Sequence, residues 1–68
     1  MLSPAPDLSP LEKEILVHVV EGLPNRVIAK KVHRSQHTVK FDVGQMLDKV
    51  GVSNRTELAR KATQEGWL

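Results

Sequence analysis

The residues whose types and spacing could do chemistry are crowded into the middle of the chain. Positions 22–41 hold Arg26, Lys30, Lys31, Arg34 and Lys40 and no acid at all. A segment of net charge +5 therefore sits in a chain whose total is only +2. Positive charge segregated in this way points to a polyanionic partner more firmly than the total does. Lys40 can reach guanine O6 and N7 or a phosphate. Phe41 either touches a thymine methyl or packs against another element of the chain. Ser35, His37 and Thr38 stand where a helix would begin, and free amides with the positive end of the helix dipole attract phosphate there. Their hydroxyls and imidazole add hydrogen bonds, and Ser35 is equally suited to cap that helix. Arg26, Lys30, Lys31 and Arg34 read either as phosphate contacts or as a solvated face.

Other chemistry does not assemble. His33 and His37 are four apart, a spacing used by helical zinc sites, but His33 falls in a turn and no carboxylate pair accompanies them. Asp42 and Asp48 are six apart and point to different faces of a helix. No nucleophile, base and orienting group come together, so neither an enzyme, a cofactor nor a metal site is expected. The chain has no cysteine, which removes disulfides and thiolate sites. It has one Phe, one Trp and no Tyr, too few rings to stack a single-stranded nucleic acid. The longest apolar run is three residues (Ile15–Val17), so no membrane-spanning helix and no signal-peptide core is expected, and the expected location is cytoplasmic.

The elements that must position these residues are helices. At 68 residues there is room for one domain with a thin core. Residues 1–7, with Pro4 and Pro6, read as a linker or an appended remnant, and residues 8–68 as the domain. Ser9-Pro10-Leu11-Glu12 is a capping box with proline at the first helical position, opening a helix over about 10–21 that Gly22 ends. Its apolar side is Ile15, Leu16, Val19, Val20 and Leu23. A second helix covers about 25–32, with Pro24 at its entry, Asn25 as a candidate cap, and Val27, Ile28, Ala29 and Val32 as its apolar side. A third, over 36–50, is capped by Ser35 and stopped by Gly51. Val39, Val43, Met46, Leu47 and Val50 form its inner stripe, with His37, Phe41, Gly44, Gln45 and Asp48 opposite. Gly44 costs about 1 kcal/mol of helix propensity relative to alanine, so either something approaches the backbone there or the loss is simply tolerated. Asn54-Arg55-Thr56-Glu57 has the form of another capping box and opens a fourth helix over about 55–65, carrying Leu58, Ala59 and Ala62. Trp67 and Leu68 are expected to fold back on the core. The fold class is all-α, four short helices, and the tight turn from Val32 to Ser35 gives the second and third the form of a helix-turn-helix.

Four ordered stretches carry a family resemblance. They are Leu8-Ser9-Pro10-Leu11-Glu12-Lys13-Glu14-Ile15-Leu16, then Gly22-Leu23-Pro24-Asn25 with Ile28-Ala29, then Ser35-Gln36-His37-Thr38-Val39-Lys40, and last Lys49-Val50-Gly51-Val52-Ser53-Asn54-Arg55-Thr56-Glu57. Together they resemble the LuxR-type (LuxR/FixJ/GerE) helix-turn-helix domain, the output module of many bacterial transcription regulators. The resemblance covers about residues 8–68. It implies a four-helix domain that binds double-stranded DNA with its third helix in the major groove. It implies that bases are read from Lys40, Phe41 and Gly44, with Gln45 nearby. It places backbone contacts around Asn25, Ser35, Thr38 and Lys49, to which the charge pattern adds Arg26, Lys31, Arg34 and His37. It further implies a homodimer on an inverted repeat through the last helices, and a regulatory domain upstream, for which a phosphorylated receiver, as in response regulators, and a small-ligand domain are equally compatible; a free-standing small regulator is the other arrangement.

The departures from the family pattern carry information too. The family often has Arg where Leu11 stands, Ser at Pro24 and Glu at Val27, so a capping box is lost at the start of the second helix. Asp42, Gly44 and Asp48 take positive charge off the reading helix and change its sequence preference. Arg60 and Lys61 fall where many members are apolar, and like charges there oppose a self-contact by the isolated domain. The alternative reading is a protein-interaction module on the same fold, with Phe41 docking a partner and the two aspartates discouraging DNA.

Overall fold

A computed structural model describes residues 5–68, so residues 1–4 of the expected linker lie outside the described residues. Four helices follow in chain order: α1 (Pro10–Val20), α2 (Asn25–Val32), α3 (Gln36–Val50) and α4 (Arg55–Gln64), with no strand among the described residues. No helix is long and apolar enough to cross a membrane among those residues.

Local chemistry sets most of the helix ends. At the start of α1 the Glu12 amide donates to Ser9 Oγ at 3.1 Å and the Ser9 amide donates back to Glu12 Oε1 at 3.0 Å, the expected reciprocal cap with Pro10 at the first position. Gly22 ends it with φ +83°, which lets the Leu23 amide reach the His18 carbonyl at 3.1 Å. Ser35 caps α3, accepting from the Thr38 amide at 3.1 Å, and Gly51 closes it at φ +81°. The α2–α3 turn is carried by His33, the one non-glycine residue at positive φ among the described residues (+57°).

Three expectations need correction. Asn25 does not cap α2: it is the first helical residue, and Pro24 fills the cap position without a side-chain acceptor. The box at α4 closes only half-way. Asn54 Oδ1 accepts from the Glu57 amide at 2.9 Å, but the Glu57 carboxylate takes the Asn54 side-chain amide instead of the cap's backbone. Trp67 packs on the core as expected, whereas Leu68 is left exposed.

The core draws on every helix. Ile15 and Leu16 of α1, Ile28 of α2, Val39 and Met46 of α3 and Leu58 of α4 are fully buried. The only buried charged residue among those described is Glu12, whose Oε1 accepts from Lys49 Nζ at 2.9 Å and so ties the start of α1 to the end of α3. Burial would push this carboxyl up. The Lys49 hydrogen bond and charge, with the Ser9 amide, outweigh burial and hold it below its ordinary value.

Candidate nucleic-acid interface

Helix α3 has one face in the core and one in solvent. Val39, Val43 and Met46 are buried, while Lys40, Phe41, Gln45 and Asp48 are exposed. Phe41 has 61% of its surface exposed, so it is not a core residue. A Cβ built at Gly44 meets nothing within 4 Å, so nothing inside the chain requires a glycine there. These residues line an open hollow of about 720 Å³, with Leu47 and Val52 supplying apolar wall.

The start of α3 lies beside the basic segment in sequence. Ser35 Oγ accepts from the Thr38 amide, and its hydroxyl donates to Thr38 Oγ1 at 3.1 Å. That leaves the amides of the first turn, at Gln36 and His37, as the free donors of the helix end. His37 is exposed and Thr38 half-buried beside them. Arg26, Lys30, Lys31 and Arg34 are all exposed, and none is in an ion pair among the described residues. Arg34 makes only a local bond to the His33 carbonyl, at 3.2 Å. An exposed set of cations outside any ion pair therefore lies on α2 and in the turn that leads into α3.

Two further positions of the expected set are engaged with residues distant in sequence. Lys49 is held by Glu12. Asn25 is half-buried, and its Oδ1 accepts from Arg55 Nη1 at 2.6 Å. Arg55 also donates through Nη2 to the Leu23 carbonyl, at 2.7 Å. Sequence reasoning missed Arg55, because its partners lie 30 and 32 residues away. One trace was there to read: a cation in the first turn of a helix is disfavoured by the dipole, so it calls for a partner elsewhere.

A short helix held on the core by a tight turn, then a capped helix with a bare outer face and loose cations, is a helix-turn-helix. The sequence matches the family described as bacterial regulatory proteins, luxR family, over residues 6–62. The chain belongs to this family. It is 40% identical over 58 residues to the nitrate/nitrite response regulator protein NarL of Escherichia coli, a match covering 85% of this chain and 27% of NarL. It is 38% identical over 60 residues to the response regulator Rre1 of Synechocystis, covering 88% of this chain and 26% of Rre1. To the transcriptional regulatory protein DesR of Bacillus subtilis it is 31% identical over all 68 residues, 34% of DesR. The chain thus spans about a quarter to a third of the length of these relatives. It is a LuxR-type DNA-binding domain of the kind bacterial transcription regulators carry.

Proposed function

We propose that this domain is the output half of a bacterial response regulator and binds duplex DNA by sequence, with α3 lying in the major groove. The observation that carries the reading is the solvent face of α3. It presents a large exposed ring at Phe41 beside Lys40, and an open backbone at Gly44. Lys40, Phe41, Gly44 and Gln45 read bases. Lys40 donates to guanine or to a flanking phosphate, and Phe41 lies against a thymine methyl. Asn25, Arg26, Lys31, Arg34, Ser35, His37, Thr38 and Lys49 hold the sugar-phosphate strands. For Lys49 this means sharing its ammonium with Glu12, which uses one of its three donors.

The regulatory half lies upstream, in the part of the relatives that this chain does not span. Two copies meet on an inverted repeat through α4, where Arg60 is exposed and Lys61 half-buried. Their repulsion keeps the free domain monomeric and leaves pairing to the DNA, through effective concentration. The protein works in the cytoplasm, where such a regulator meets its DNA.

Fluorescence anisotropy against a labelled random duplex library at two salt concentrations, followed by sequencing of the retained DNA, tests this. An enriched inverted repeat is expected, with a log–log salt slope of roughly −4 to −5 for four to six phosphate contacts. No binding at low salt by a folded domain would defeat it.

A further inference from the structure

Of the four helix starts, that of α2 alone has no side-chain cap. Pro24 offers no acceptor at the cap position, and the first turn carries no acid. What ties this end down is a tether to α4, whose first residue, Arg55, donates to the Leu23 carbonyl at 2.7 Å and to Asn25 Oδ1 at 2.6 Å. A guanidinium has donors only, so it decides which way the Asn25 amide faces. Oδ1 must meet Arg55, and Nδ2 must turn away from it. Among the described residues Nδ2 has no partner, and it is not sealed in the core. Next to it in sequence stands the exposed Arg26, the first cation of the basic segment. An amide whose acceptor end is consumed and whose donor end is free suits an anion.

We infer that Arg55 is a positioning residue for DNA binding: it holds Asn25 with Nδ2 turned outward, where it donates to a phosphate oxygen of the duplex. The inference rests on the duplex-DNA reading above. It makes one side chain the link between α4, which lies outside the helix-turn-helix, and the helix that grips the strand.

Asn25→Asp separates this from a purely structural role. The carboxylate keeps, and strengthens, the bond to Arg55, and an acid suits the first turn of α2. The variant is therefore expected to melt at or above the wild-type temperature. It presents an oxygen where Nδ2 stood, so its affinity for a random-sequence duplex at low salt is expected to fall by more than about tenfold, beyond the loss of one hydrogen bond to a charged group. Asn25→Ala, which adds no charge, is expected to lose about tenfold. Arg55→Ala is expected to lose a similar factor alone and nothing further on the Asn25→Ala background, since the two act as one unit. Arg55→Lys keeps one donor for Oδ1 and should retain most of the affinity. Wild-type affinity in Asn25→Asp, or losses at Arg55 and Asn25 that simply multiply, would overturn the inference while leaving DNA binding intact. A folded wild-type chain that ignores duplex DNA at low salt would overturn the reading beneath it as well. Should Arg55→Ala not fold, Asn25→Asp still decides.

Discussion

Met46 and Phe41 stand five residues apart on α3, are both large and apolar, and have opposite fates. Met46 is fully buried, and Phe41 keeps 61% of its surface in water. Hydrophobicity alone would put both inside; their angular positions on the helix separate them. The inner face of α3 answers to folding, because its side chains fill space shared with α1, α2 and α4. The outer face does not answer to folding. It keeps an exposed aromatic ring and a mid-helix glycine, both of which a stability optimum would remove.

The largest effect that can break this division is expected inside. Met46→Ala empties a fully buried site and should cost about 2–5 kcal/mol, a large share of what so small a domain has. Urea denaturation measures it, and a loss below 1 kcal/mol would mean the inner face is not the core. Phe41→Ala comes next and acts on the other property. Alanine is the better helix former, so the melting temperature should hold or rise slightly. Affinity for the selected operator should fall by about tenfold, the scale of one lost base contact. A drop of several degrees in melting temperature would place Phe41 in the core and erase the contrast.

The same contrast shows what a sequence discloses. The faces of α3 are legible because its 3.6-residue period runs uninterrupted from Val39 to Val50. The ends of α1 and α3 are legible because Ser9, Glu12, Gly22, Ser35 and Gly51 act within a turn of their own position. The start of α2 at Asn25 is legible, but its anchorage is not, because that comes from Arg55, 30 residues on. Glu12 was legible as half of a cap but not as the anchor for Lys49, 37 residues away. In the candidate interface, exposure and charge could be read in advance. The partners of Asn25 and Lys49 could not, since they depend on which helices come to lie side by side.

Gly44→Ala sharpens the contrast at a smaller scale. The added Cβ meets open space, so the domain should gain about 1 kcal/mol, or roughly 4–8 °C in melting temperature. If bases approach the helix closely there, operator affinity should fall in the same variant. Stability and binding moving in opposite directions is the expected signature of the outer face. An affinity that rises or holds would take Gly44 out of the interface.

The smallest effect lies at the seam between the faces, where Lys49 leaves the outer side to reach Glu12. The carboxyl is held below its ordinary value in the folded chain, despite burial, by Lys49 and the Ser9 amide. A group depressed on folding contributes its stability in full above its unfolded value and loses it as the pH falls through its folded one. The wild-type domain should therefore weaken on acidification through the carboxylate range, and Glu12→Gln should flatten that part of the profile. At neutral pH the same variant should lose less than about 1 kcal/mol, because Lys49 is 43% exposed and water and salt screen its charge. Lys49, freed of its carboxylate, would then have its whole charge available to phosphate. Nonspecific DNA affinity in Glu12→Gln should rise even as stability dips, and the salt slope should steepen. Unchanged affinity and slope would leave Lys49 as a structural cation alone and draw the boundary of the interface short of the end of α3.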